Sequence, residues 1–140
     1  MSLSTWLTAQ GVPALYGIDT RMLTKRIRDL GVLLGKIEFD GQPVELHDPN
    51  QRNLVAEVSS REVRVFNQGA TPRILAFDCG MKYNIIRYFV HVHKVELTVV
   101  PYDYDLEHNP HEIQYDGIFL SNGPGNPVTC APTINSLRWA

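Results

Sequence analysis

The sequence predicts an α/β protein: a partial α+β unit first, then the opening strands of a doubly wound, mostly parallel, flavodoxin-like sheet. Three observations predict it. The first forty residues carry two segments of helical apolar spacing and one that reads as a strand. Residues 67–72, Asn-Gln-Gly-Ala-Thr-Pro, are polar, contain glycine and close on proline, which is linker composition. Beyond them, short continuous apolar runs alternate with helical patterns, as in parallel βαβ units buried on both faces.

In order, Leu3, Trp6 and Leu7 recur at helical spacing, and Gly11 with Pro13 ends that helix. Asp19 or Thr20 caps a second helix, Arg21 to Leu30, with Met22, Leu23, Ile27 and Leu30 as its apolar stripe and Gly31 at its close. Arg21, Lys25, Arg26 and Arg28 make a basic face, read as solvated beside Asp29 and Glu38. Val32 to Phe39 is expected to be a strand, turned by Asp40-Gly41. The pattern then weakens: Asp48-Pro49-Asn50 is a turn, Leu54 to Val58 a short apolar piece, and Val63, Val65 and Phe66 an extended segment. A domain boundary is placed at 67–72, with residues 1–66 before it and 73–140 after it. The second part reads strand Ile74–Phe77, helix Tyr83–Val92, strand Val95–Val100, strand Gly117–Leu120 and helix Thr133–Trp139. In such sheets ligands sit beyond the carboxyl ends of the strands. Asp78-Cys79-Gly80, Pro101-Tyr102-Asp103 and Ser121 to Pro127 occupy those ends.

Composition narrows the function. The chain is 44% hydrophobic and 20% charged, with net charge −2 and no long run of one sign, so nothing points to nucleic acid or an anionic membrane. No apolar run approaches the roughly 20 residues of a membrane helix, and Met-Ser-Leu-Ser-Thr lacks the regions of a signal peptide. Two cysteines, Cys79 and Cys130, make neither a disulfide framework nor a zinc spacing and read as free thiols.

Three groups of residues could carry chemistry. Gly123-Pro124-Gly125 follows a strand, where exposed backbone N–H groups can hold an oxyanion; a plain crossover turn explains the same residues. It is neither a P-loop, lacking a following Lys-Ser or Lys-Thr, nor a dinucleotide fingerprint, which belongs after the first strand. Cys79 stands at a strand end where a nucleophile could sit, but Asp78-Cys79-Gly80 is not a nucleophile elbow, so a packing role is expected; the same holds for Cys130. His91 and His93, and His108 and His111, are closely spaced, yet neither pair has a recognised ligand spacing, so no metal is assigned to them or to His47.

Several co-linear motifs resemble carbamoyl phosphate synthetase, in its glutaminase part. Gly17-Ile-Asp-Thr-Arg-Met-Leu-Thr-Lys25 is similar to a G-[IV]-D-T-R-x-L-T signature, and Gly35-Lys-Ile-Glu-Phe39 to the strand after it. Asp48-Pro49-Asn50 and Leu54-Val-Ala-Glu-Val-Ser59 resemble the approach to the domain junction. Phe77-Asp-Cys-Gly-Met-Lys-Tyr-Asn84 looks like the first βα turn of a class I amidotransferase domain, and Leu120-Ser-Asn-Gly-Pro-Gly-Asn-Pro127 like its glutamine-site loop. The resemblance divides the chain into the end of the small-chain amino-terminal domain and the first half of the amidotransferase domain.

The resemblance implies a parent that hydrolyses L-glutamine through a cysteine thioester. Its ammonia passes to a synthetase subunit or domain that makes carbamoyl phosphate with bicarbonate, ATP and magnesium, for pyrimidines or for arginine and urea. Gly123 and Gly125 inherit the positions that contact glutamine, and a backbone N–H of their loop helps form the oxyanion hole. No catalytic residue and no cofactor is assigned to these 140 residues, because the G-[IL]-C-x-G-[HN]-Q elbow, its His and Glu partners and an early serine do not occur in them. The chain alone is therefore expected to be inactive and its site to be completed by further residues; the alternatives are a non-catalytic module that docks on the synthetase and a stand-alone binder of small carboxylates. The parent is intracellular, mitochondrial or cytoplasmic. Two departures stand out. His91-Val92-His93-Lys94 replaces a segment with a helix-ending glycine, and Asn126 stands where glutamine-dependent relatives usually carry Asp.

Overall fold

The computed structural model describes residues 1–109 and 111–140, and the chain divides into two compact units, Met1–His47 and Asp48–Ala140. In the first unit, helix α1 (Leu3–Ala9) starts on Ser2, whose hydroxyl accepts the Thr5 N–H at 3.2 Å. Helix α2 (Thr20–Leu30) starts on Asp19, whose carboxylate accepts the Met22 N–H at 2.8 Å, and stops at Gly31 with φ +83°. The strand expected over Val32 to Phe39 is not formed. Only an isolated bridge, Phe39 to Gln42, closes around the Asp40-Gly41 turn, braced by Lys36 Nζ on Glu38 at 2.7 Å and on the Val44 carbonyl at 3.0 Å. A strand is a ladder property, and this segment has no ladder partner among the described residues. The α2 stripe likewise stays 41–64% exposed at Met22, Leu23, Ile27 and Leu30. The unit therefore has capped helices without a core.

The second unit is built on a sheet. After a 3₁₀ turn at Pro49–Gln51 come helix α3 (Leu54–Val58), β1 (Arg64–Phe66), β2 (Arg73–Asp78), α4 (Tyr83–Arg87) running into a π-helical turn (Tyr88–His93), β3 (Glu96–Pro101), β4 (Gly117–Leu120) and α5 (Ala131–Trp139). The strand order is β1-β3-β2-β4; β2 is parallel to β3 and β4, and β1 is antiparallel to β3. Side-chain alternation splits the core in two. Leu75 and Phe77 join Val100, Tyr104 and Leu106 on one face; Ala76 joins Ile86, Val95, Leu97 and Val99 on the other.

Residues 67–72 differ from a free linker. They connect β1 to β2 inside the second unit, and Asn67 Nδ2 donates to the Val90 carbonyl at 2.8 Å. The compact units part between His47 and Asp48, and β1 is taken into the sheet by pairing with β3. The start of the sheet is pinned by Arg73, which holds both Asp116 carboxylate oxygens, Oδ1 at 2.9 Å and Oδ2 at 3.3 Å. Where a helix-ending glycine was expected, Lys94 takes the left-handed conformation itself, with φ +53°.

Candidate functional site

The ends of β2 and β4 lie side by side because the parallel register pairs Phe77 with Leu120 and continues through the Ser121 N–H to the Phe77 carbonyl at 3.2 Å. Each strand then enters a loop, and the two loops interlock. Ser121, 5% exposed, accepts the Cys79 N–H on its hydroxyl at 2.9 Å and donates to the Asn122 carbonyl at 3.0 Å. Gly123 lies so close to the first loop that a Cβ on it would fall 1.8 Å from the Cys79 carbonyl oxygen. Gly80, at φ +124°, backs onto Pro124, and Gly125 holds φ +81° with only ordinary contact to Leu54. Asn126 then caps the turn at Pro127–Cys130 that leads into α5, its side chain accepting the Val128 N–H at 3.0 Å.

The first loop is fixed from beneath by Asp78, 5% exposed. One carboxylate oxygen accepts the N–H groups of Gly80 at 3.0 Å and Met81 at 2.7 Å; the other accepts the Ser60 N–H at 3.0 Å. Helix α5 is tied to the loop after β3 by Thr133, which donates to the Tyr102 carbonyl, and by Ser136, which donates to the Tyr104 carbonyl at 2.7 Å. Between these elements lies a cavity of about 330 Å³, lined by Cys79, Ser121, Gly123, Gly125, Cys130 and Thr133, with Val55, Leu120, Ile134 and Leu137 as its apolar walls. The backbone N–H groups of Asn122, Gly123, Gly125 and Asn126 donate to no group among the described residues. A loop that keeps several N–H groups unspent beside a cavity is suited to a carbonyl or carboxylate oxygen.

Cys79 is suited to packing. Burial, and after it the neighbouring Cys130, push its thiol up to about 11, so at neutral pH it is protonated and a poor nucleophile. The histidines are spread out. His93 meets Tyr88 edge-on at 4.8 Å, His111 stacks on Tyr104, and His91 lies with His93 in the π-helical turn, not in the strand that would align them. His108 Nδ1 contacts Asp105 Oδ2 at 2.6 Å; that partnership raises the imidazole pKa and lowers that of the carboxyl. Pro110, between His108 and His111, lies outside the described residues.

Gly123 and Gly125 thus stand where sequence placed them, at one end of the sheet, with Gly123 held by packing and Gly125 by its φ. The sequence places Ser121 in this loop without its bond to Cys79, and gives Val55 and Thr133 no part in the site. A serine directly after an apolar run and a threonine at helical spacing from Leu137 are the signals the sequence carries.

Comparison with known proteins covers most of the chain. Residues 75–140 match the family model described as Glutamine amidotransferase class-I, and residues 1–37 that of the Carbamoyl-phosphate synthase small chain, CPSase domain. The chain is 53% identical over 138 residues, 98% of its length, to the mitochondrial carbamoyl-phosphate synthase (ammonia) of Aquarana catesbeiana. Identity is 49% over 137 residues, again 98% of the chain, to the protein of that name from Homo sapiens. To multifunctional protein CAD of Squalus acanthias it is 47% over 142 residues, 99% of the chain. The chain spans 9% of the length of each of the first two and 6% of the third.

Proposed function

The chain belongs to the carbamoyl-phosphate synthase family, in the region that joins its small-chain domain to a class I glutamine amidotransferase domain, and on that premise we propose that the Ser121–Pro127 loop is half of a glutaminase site. In this reading Gly123 and Gly125 line the glutamine pocket, and an unspent N–H of the loop stabilises the oxyanion of the tetrahedral intermediate, a contribution of about 3–4 kcal/mol where such a donor is lost. The loop's unspent N–H groups beside the cavity are the observation that carries it. In this reading the attacking cysteine and its base are not among these 140 residues, and the chain alone turns over no glutamine. Ammonia from the completed site passes to a synthetase domain, where ATP and magnesium act. In this reading the boundary between the two domains stays at residues 67–72, within the stretch 38–74 that neither family model covers. The compartment is the parent's, mitochondrial or cytoplasmic.

A chimera tests the site. Residues 73–140 replace the corresponding half of the amidotransferase domain in multifunctional protein CAD, and glutamine hydrolysis is measured. The expected result is a folded chimera that releases ammonia, with KM raised by Gly125→Ala. A folded chimera with no glutaminase activity overturns the reading.

The exposed apolar stripe of α2 favours a second reading, a non-catalytic module that docks on a synthetase domain. Reproducible, saturable binding of the 140-residue chain to an isolated synthetase region supports it, and no binding removes it.

A further inference from the structure

The cavity beside the glycine loop is lined by both cysteines of the chain, and apart from their thiols its lining has no ionisable side chain. Cys79, in the loop after β2, is buried; Cys130, at the end of the 3₁₀ turn before α5, is half-buried; both are free thiols. Sequence keeps them far apart, and the interlocked loops bring them together. Ser121 and Gly123 fasten the second loop to Cys79, and Asn126 then caps the turn that ends on Cys130. After burial, Cys130 is the largest influence on the Cys79 thiol, which marks the two side chains as close neighbours on one cavity wall.

We propose that Cys79 and Cys130 are a redox pair, joined as an intramolecular disulfide by a hydroperoxide and released by a thiol reductant. Cys130, the more accessible, meets the oxidant. Its thiolate attacks one peroxide oxygen, an S–O bond forms, the O–O bond breaks, and the hydroxide that leaves takes up a proton as water. Cys79 then gives its proton to solvent and its sulfur attacks that of Cys130; the S–S bond forms, the S–O bond breaks and a second water leaves. Two thiols thereby lose two electrons to one peroxide. A thiolate that forms near 11 is scarce at pH 7.5, roughly a few hundredfold scarcer than that of an ordinary cysteine. Proximity outweighs that scarcity, since a well-oriented neighbouring group acts at an effective concentration of about 10⁵ M or more. An S–S bond of about 2.05 Å is shorter than any contact between free thiols, so closing it draws the loop after β2 and the turn before α5 together along the cavity. Where that cavity holds glutamine, which rests on the proposed function, oxidation narrows the substrate site.

The test treats the native 140-residue chain with a slight excess of hydrogen peroxide, blocks the remaining thiols with iodoacetamide and reads the unreduced digest by mass spectrometry. The expected result is a chain lighter by about 2 Da, with the Cys79 and Cys130 peptides joined and both thiols regained in dithiothreitol. Cys79→Ser is expected to stop Cys130 at a sulfenic acid that dimedone traps. Cys130→Ser, at the less buried position, is expected to leave Cys79 reduced, and it decides the matter if Cys79→Ser does not fold. Disulfides only between chains, Cys130 carried on to sulfinic acid beside a free Cys79, or bridging just as fast in denaturing urea overturn the proposal. None of these readouts uses glutamine. The effect on the cavity is read in the chimera described above, where the KM for glutamine is expected to rise severalfold on oxidation, to return with dithiothreitol, and to stay constant through the same cycle in Cys130→Ser. An unchanged KM overturns the narrowing, and an inactive chimera counts against the glutaminase reading, not against the pair.

Discussion

Gly123→Ala is the substitution that separates two reasons for a glycine in this loop. If the glycine serves only to admit a ligand, alanine should leave the fold intact and weaken ligand binding alone. The structure argues otherwise. The new Cβ would stand 1.8 Å from the Cys79 carbonyl oxygen and 2.7 Å from its carbon, where real Cβ atoms essentially never come within 3.0 Å. Relief needs a backbone displacement of more than about 1 Å, because the obstacle is a carbonyl in a loop held by Ser121 and Asp78 and cannot rotate aside like a side chain. Overpacking against side chains costs about 1–3 kcal/mol, so a clash with backbone belongs at the top of that range, about 3 kcal/mol. Gly125→Ala is the internal control. Its Cβ meets only Leu54 at 3.6–3.9 Å, so it suffers the left-handed φ alone, about 1 kcal/mol after the entropy lost by the unfolded chain is allowed for. Urea unfolding followed by circular dichroism gives both values at constant m. Removing the Cys79 side chain as well should not rescue Gly123→Ala, since the clash is with main chain. Equal destabilisation by the two alanines, within about 0.5 kcal/mol, would refute the packing argument.

Two further outcomes follow from the same geometry. Cys79 should resist a thiol-specific disulfide reagent at pH 7.5 in the native chain and react at an ordinary rate once unfolded, because its thiolate forms near 11 when folded; rapid native labelling of Cys79, followed by mass spectrometry, would contradict this. Lys94→Gly should raise stability by about 0.5–1 kcal/mol, since the residue already occupies φ +53° and keeps its N–H bond to the Phe89 carbonyl, and an unchanged or lowered urea midpoint would count against it.

What sequence could show depended on whether the cause was local. Asp19 caps α2 through a hydrogen bond made within three residues, so that helix start was legible; α1 was legible from the spacing of Leu3, Trp6 and Leu7. The strands Arg73–Asp78, Glu96–Pro101 and Gly117–Leu120 were also legible, since each is a short apolar run bounded by turn residues. Val32 to Phe39 has the strand pattern too, but a pattern supplies only propensity, and no neighbour among the described residues provides the ladder. Residues 67–72 have linker composition, and what sequence could not show is that the short segment before them finds a strand to pair with, so that they connect β1 to β2. At the site, the Gly123 and Gly125 motif was visible, whereas Ser121 acting on Cys79 joins residues 42 apart and needs the fold to be seen.

The interlocking of the two loops also changes what the glycines mean. Asp78 anchors Gly80 and Met81, Ser121 anchors Cys79, and Gly123 rests on the Cys79 carbonyl, so the position of every N–H in the second loop depends on the first. An oxyanion donor is useful only if it is aimed before charge develops, because reorienting it during the reaction would consume the stabilisation it offers. The contact that forbids a side chain at Gly123 is therefore the same contact that holds the loop rigid. Packing and binding are not rival explanations for that residue: a close approach to Cys79 fixes the loop, and the fixed loop leaves the N–H groups of Asn122, Gly123 and Gly125 beside the cavity without partners among the described residues.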